Sequence, residues 1–313
     1  MAKVISFVNL KGGVAKSTTT VTLAEVLATA FIKKVLVIDL DPQSAATAML
    51  CGEDRIKRRT KEKLTSLELM RSRKGDKADR FVDKEVSDIT LPNGCQLDVI
   101  PSHPDMMRYN EGDLRARGTP ELLEGDATFH NKLGTLLERY DYVLIDCPPS
   151  VGRLTRFGLI FSDFYVVPTI PDFLSSRMFY KTVEAVEDFK AYYEERGHAT
   201  IRPCRFVGVI ITKYQEQITT HKNIISDIRS KPFPSASDRV NVFLPYIRQS
   251  VNLVRPFEDY PIKDDGSLGG KRPTDSDDNK LKKEHKSYIA KYKSGDGGAA
   301  GDLYSLAGAI QAL

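Results

Sequence analysis

Residues 7–20 read FVNLKGGVAKSTTT, and how this stretch folds decides the reading of the whole chain. It almost spells the Walker A pattern Gly-x-x-x-x-Gly-Lys-Ser/Thr. Leu10 stands where the first glycine belongs, Ala15 where the last belongs, and Lys11 is an additional cation. Lys3 to Asn9 is a β-branched, mostly apolar run that predicts a strand, Leu10 to Ala15 a glycine-containing turn, and Lys16 onward a helix. That order is what a phosphate cradle requires. Gly12 and Gly13 let the backbone curl so that successive N–H groups point inward, and the helix N-terminus adds its partial positive charge. The cradle would run from Gly12 through Val14 and Ala15. Lys16 would reach the β- and γ-phosphates, Ser17 would place its hydroxyl on Mg²⁺, and Thr18 would touch the α-phosphate. Ala15 fits only with a negative φ or with modest strain.

A nucleotide site of this kind also needs a carboxylate at the end of a neighbouring strand. In YDYVLIDCPPS, four apolar residues lead into Asp146, which places that acid at the carboxyl end of a strand, where ligands bind in open α/β sheets. KVLVIDLDPQ supplies Asp39 and Asp41, expected to face differently along the strand and so to do different jobs.

The wider chain agrees with an α/β plan. The runs KVISFVN, KVLVIDL, YDYVLIDC, DFYVVPTI, RFVGVIITK and VNVFLPYI are apolar on both faces, which marks strands buried in a parallel sheet. Helical spacing predicts helices near 16–31, 128–139, 175–195, 219–230 and 302–312. The expected architecture is a mainly parallel twisted sheet with helices on both faces, P-loop NTPase-like, in a single domain spanning 1–313. Two charged stretches, near 53–80 and 263–301, read as insertions on it.

Composition excludes several other classes. With 313 residues and 41% hydrophobic content the chain can bury a sizeable core, and 46 basic against 42 acidic residues give a mixed surface rather than one of a single sign. Cys51, Cys95, Cys147 and Cys204 are scattered singly, against a zinc ribbon, an iron–sulfur site or a disulfide framework, and a reducing cytoplasm fits that usage. No window offers the roughly 18 uninterrupted apolar residues of a membrane span.

With these residues in view, KGGVAKST resembles the signature of the ParA/MinD family of deviant Walker A ATPases, closest to the ParA-like partition proteins. The likeness extends through VLVIDLDPQSAAT and DYVLIDCPPS, and through FLPYIRQSVNLVRPFEDYPI, similar to the late segment near the base, which contains Pro245. The resemblance implies ATP and Mg²⁺ as cofactors and a homodimer clamped on ATP. In it Lys11, the signature lysine, would cross to the partner's phosphates as an arginine finger does. It further implies that Asp41 orients the attacking water, that Asp39 holds the Mg²⁺ water shell, and that Asp146 is the Walker B acid. Slow hydrolysis to ADP would be stimulated by a ParB-like adaptor, and the ATP dimer, associated with the nucleoid, would bind DNA without sequence preference.

Arg177 and Lys181 on one predicted helix, and Lys213 and Lys222 around the next strand–helix unit, are the candidate DNA contacts. The dense basic run from Arg55 to Lys63 reads as a solvated helix, with a DNA arm or adaptor surface as alternatives. A membrane-bound, MinD-like regulator would need a basic amphipathic C-terminus, and GDLYSLAGAIQAL has neither Lys nor Arg. The other readings are a nucleotide switch moving a protein assembly and a metallocluster carrier, for which the cysteines lack a pair.

Overall fold

The computed structural model describes residues 2–71, 77–84, 96–111, 134, 136–195, 204–230, 241–249 and 299–313. Val35 and Val37 turn one way in their strand, Leu36 and Ile38 turn the other, and all four are buried. Residues of period two that are apolar on both faces belong to a sheet covered on both sides. That sheet has six parallel strands: β1 (Lys3–Phe7), β2 (Lys34–Asp39), β3 (Gln96–Ile100), β4 (Tyr142–Asp146), β5 (Phe164–Thr169) and β6 (Arg205–Ile211), in the order β3-β2-β4-β1-β5-β6.

Helix α1 (Lys16–Thr29) follows β1 and packs with α2 (Ala45–Cys51) and α9 (Ala299–Gln311) on one face. On the other face lie α4 (Ser66–Arg71), α6 (Arg153–Phe161), α7 (Phe173–Glu195) and α8 (Thr219–Ser230). Two further helices are α3 (Glu53–Lys61) and α5 (Met106–Glu111). Each fully buried Leu, Ile or Phe in these layers contributes about 1.5–3 kcal/mol. Helix α6 lies very close to β4: a Cβ on Gly158 would meet Cys147 Sγ at 3.1 Å and Ile145 Cγ2 at 3.2 Å, so any larger residue would make these side chains give by a few tenths of an ångström.

Five of the six expected strands form. VNVFLPYI makes only isolated bridges, Val209 with Val242 and, just beyond it, Tyr214 with Arg248, because Pro245 has no N–H to offer a ladder. The strand that sequence reading missed is β3, whose apolar run is interrupted by Asp98. Its buried carboxylate accepts hydrogen bonds from Tyr140 Oη and Gln96 Nε2, both at 2.5 Å. The helix expected at 219–230 matches α8, those at 16–31 and 175–195 each shift by two residues at one end, and that at 302–312 shifts by three at its start and one at its end. The helix expected at 128–139 lies mostly outside the described residues, as does the stretch 263–298.

In the stretch 53–80, the basic run from Arg55 to Lys63 is a solvated helix only in part: Lys57, Arg58, Lys61 and Lys63 are exposed, whereas Arg55 is half-buried and Arg59 buried. Farther along it, Leu67, Leu69 and Ala78, with the adjoining Phe81, are buried in the main core. Arg55 and Arg59 turn inward onto Asp83: Arg55 grips it through Nε at 2.6 Å and Nη2 at 2.7 Å, and Arg59 Nε lies 3.6 Å away. Asp83 in turn bridges to Val99 of β3, so the basic run ties this segment to the edge of the sheet. Among the described residues no helix is long and apolar enough to cross a membrane.

Candidate nucleotide site

Parallel register aligns the carboxyl ends of three central strands, with Phe7 opposite Asp146 and Asp146 opposite Asp39. Beyond Phe7 the chain turns through the loop and enters α1 at Lys16. Gly13 (φ 74°) and Ala15 (φ 59°, ψ 32°) both take the left-handed region. Ala15 therefore does not have the negative φ one branch of expectation allowed. It carries strain of roughly 1–2 kcal/mol, which the surrounding contacts must hold. Of the two glycines only Gly13 needs its freedom; Gly12 adopts no positive φ.

The loop is anchored by two amides at its start and by two carbonyls farther on. Lys11 N–H donates to Asn9 Oδ1 at 2.7 Å, Leu10 N–H to Thr182 Oγ1 at 3.1 Å, and Thr212 and Lys213 donate to the carbonyls of Val14 and Gly13. Among the described residues no acceptor takes the amides of Gly12 to Thr18. Free N–H groups at the start of a 14-residue helix are what an anion site requires.

The acids divide into different states. Both oxygens of Asp146 are buried without a hydrogen-bond partner, and the nearest cation, Lys16 Nζ, is 3.9 Å away. Burial pushes this carboxyl up from the ordinary carboxylate value, and Lys16 together with the nearby hydroxyls of Ser17 and Thr20, neither close enough to count as a formed hydrogen bond, opposes the shift. Asp39 is pushed up as well, first by burial and then by the charge of Asp146. Its oxygens are nonetheless occupied: Thr47 donates N–H at 2.8 Å and Oγ1 at 2.7 Å, and Asp41 N–H donates at 3.0 Å. Asp41 Oδ2 lies 3.7 Å from Lys16 Nζ. Asp39 and Asp41 do face differently, but not by strand alternation, which would put residues two apart on one side. The strand ends at Asp39, and Asp41 belongs to the turn that follows.

A hydrated Mg²⁺ fits this donor set. Among the described residues no three His, Cys, Asp or Glu side chains converge on one point. Mg²⁺ does not ask for that: it is held by one or two carboxylates together with substrate phosphates and keeps several waters. The unpartnered Asp146, with the Ser17 hydroxyl at the first turn of α1, offers such a set.

Lys11 is held within its own chain. Its ammonium donates to Ser175 Oγ at 2.6 Å and to Asp172 Oδ2 and Oδ1 at 3.2 and 3.3 Å. Burial raises the Asp172 carboxyl, but hydrogen bonds from Ser175 and Lys11 outweigh it and hold the group below its ordinary value. Pro245 lies half-buried in the segment beside β6. Of the candidate DNA residues, Arg177 and Lys181 are exposed on α7 and Lys222 on α8, with the Arg177 guanidinium 5.8 Å from the Phe173 ring centre. Lys213 is instead turned onto the loop. Sequence reading missed Asp172, Ser175, Thr182 and Thr212; no local motif marks them, since their roles come from strands and helices remote in the chain. Cys147 is buried, with burial pushing its thiol up to about 12, so it has the character of an inert core residue.

Fold and site together define a P-loop-type α/β nucleotide-binding architecture with a deviant loop. A family model described as an AAA domain (AAA_31) matches residues 2–196, more than half of the chain. The chain belongs to this family, as a ParA-like member of it. An uncharacterized protein of Mycobacterium tuberculosis is 28% identical over 228 residues, covering 72% of this chain and 63% of the relative; the chain thus spans less than two thirds of that relative's length. Sporulation initiation inhibitor protein Soj of Bacillus subtilis is 34% identical over 177 residues, 54% of this chain and 58% of Soj. Among solved structures, a plasmid partition protein from Borrelia burgdorferi matches with a TM-score of 0.53 at 25% identity, covering 74% of this chain and 88% of the other.

Proposed function

We propose that this chain is a partition-type ATPase, one domain over residues 1–313, acting in the cytoplasm. It binds ATP with Mg²⁺, pairs with a second copy in that state, and then holds DNA without sequence preference on the nucleoid. Slow hydrolysis to ADP, speeded by a ParB-like adaptor on the cargo, releases it. One observation carries the reading: the amides of the loop and helix start have no acceptor, and at that helix start the buried Lys16 lies 3.9 Å from a buried carboxylate that has no hydrogen bond.

In this reading the amides of Gly12 to Thr18 orient the phosphates, and Lys16 leaves its loose contacts with Asp41 and Asp146 to neutralise them. Ser17 and Asp146 would hold Mg²⁺, with Asp39 acting on its water shell. The metal supplies charge neutralisation on the phosphate oxygens. Asp41, at the mouth of the turn, orients the attacking water. Pro245 borders the base.

Pairing requires Lys11 to exchange Asp172 and Ser175 for the phosphates of the second copy. ADP lacks the group that would repay this exchange, so nucleotide state and self-association become linked. A membrane-binding reading is disfavoured because α9 spends its apolar face on α1: Leu303, Leu306, Ala307 and Ile310 are buried, and Tyr304 stacks on Phe31 with ring centres 4.8 Å apart.

Two measurements test the proposal. Asp41→Ala should bind ATP and self-associate like the parent while losing turnover, as read by phosphate release and sedimentation; normal turnover removes the water-orienting role. DNA affinity with ATP should fall steeply with salt and not distinguish unrelated duplexes, whereas salt-insensitive binding would count against phosphate contacts by Arg177, Lys181 and Lys222.

A further inference from the structure

We infer that Lys213, together with Thr212, is a positioning residue for the phosphate loop: the two side chains fix consecutive peptide planes of the loop so that its amides point at the nucleotide. The inference rests on the reading of this loop as a nucleotide site.

Two adjacent residues at the carboxyl end of β6 reach across about two hundred positions of chain to two adjacent carbonyls. Thr212 Oγ1, buried, donates to Val14 O at 2.9 Å, and Lys213 Nζ donates to Gly13 O at 2.9 Å. A trans peptide unit is planar, with its C=O and N–H pointing in opposite directions. Holding the Gly13 carbonyl toward β6 therefore aims the Val14 N–H away from β6, and holding the Val14 carbonyl does the same for the Ala15 N–H. These are the two peptide units between the left-handed Gly13 and the left-handed Ala15.

The need for such a strap is set by Ala15. A glycine there would occupy the left-handed region without steric cost, whereas alanine is biased away from it. Lys213 is itself placed by a left-handed backbone (φ 52°), which turns an otherwise solvent-exposed lysine toward the loop. A side chain meant for DNA alone has no reason to be directed onto a loop carbonyl. Its ammonium also adds positive potential behind the phosphate site.

The test is titration of the full chain with ADP and with ATP, in Mg²⁺, for the parent, Lys213→Met and Lys213→Arg, alongside the thermal midpoint of each nucleotide-free protein. Lys213→Met should weaken ADP and ATP binding equally, by about tenfold, as loss of a hydrogen bond from a charged donor does. The guanidinium of Lys213→Arg can still donate to the carbonyl and should restore affinity to within about twofold. The nucleotide-free midpoint should stay unchanged.

Three results would overturn the strap: unchanged affinity in Lys213→Met, a loss confined to ATP, which would place the ammonium on the γ-phosphate, or a loss that tracks a lowered nucleotide-free midpoint. A parent chain that binds neither nucleotide sinks the functional reading itself, and is told apart from these by the parent titration alone.

Discussion

Four buried acids lie in the same half of the sheet, on and beside β3, β2 and β4, and one of them is treated differently from the rest. At the β3 edge, Asp83 is gripped by Arg55 through two hydrogen bonds, and Asp98 accepts from Tyr140 and Gln96. At the carboxyl ends of β2 and β4, Asp39 and Asp146 sit side by side, and Asp146 has no hydrogen-bond partner on either oxygen. A buried carboxylate without hydrogen bonds costs free energy that one loose ion pair with Lys16 at 3.9 Å offsets only in part, so of these four acids Asp146 is the one whose placement asks for a use. The hydrogen-bonded acids are tied into the fold, and Asp146, which lacks hydrogen bonds, is the acid to which the proposed function assigns Mg²⁺. Their chemistry is the same; their surroundings decide their roles.

The largest expected effect is at the unpaired site. Lys16→Ala removes the only cation near Asp41 and Asp146 among the ion pairs described, and it should abolish nucleotide binding, with affinity down by a hundredfold or more on the order expected for a buried charge pair. Fluorescent-nucleotide titration giving parent-like affinity would erase the distinction between the two regions.

Next comes the paired site. Arg55→Ala leaves Asp83 buried beside the more distant Arg59, and should lower unfolding free energy by about 3 kcal/mol while leaving ADP affinity intact. Denaturant titration checks the first part, and a large loss of nucleotide binding would show that the edge is not merely structural.

A smaller effect is expected from pH. Asp39 is raised from 3.8 to about 8 by burial and by Asp146, so the folded chain binds more protons than the unfolded one within that window. Its contribution to stability therefore falls as pH rises from 3.8 towards 8 and is fully unfavourable above. In metal-free buffer the thermal midpoint of Asp39→Asn should decline less over this range than that of the parent. Parallel curves would mean that Asp39 has an ordinary carboxylate titration. The smallest effect belongs to the outer face of α3: Lys57→Ala touches only the exposed Asp54 and should change stability by no more than about 0.5 kcal/mol.

The contrast also explains what could be read in advance. The loop, Lys16 and Asp146 stand in a contiguous strand–turn–helix and at the end of a long apolar strand, so their period and spacing announce them. Asp98 hides β3 because a carboxylate inside a short strand looks like a loop until Tyr140, from far along the chain, satisfies it. Arg55 and Arg59 look like a solvated run because nothing in their own helix reveals that Asp83 lies beneath them. Lys213 passes for a DNA contact because its positive φ, which aims it at Gly13, is a property of the folded backbone. Local pattern carries the cradle, and tertiary partners decide which charges are spent inside.

The most direct test of the central claim is calorimetric titration of ADP, with and without Mg²⁺, into the parent and into Asp146→Asn. If the unpartnered carboxylate exists to hold the cation, Mg²⁺ strengthens binding to the parent and does nothing for Asp146→Asn, whose nucleotide-free thermal midpoint is no lower. An undiminished Mg²⁺ effect in Asp146→Asn would contradict it.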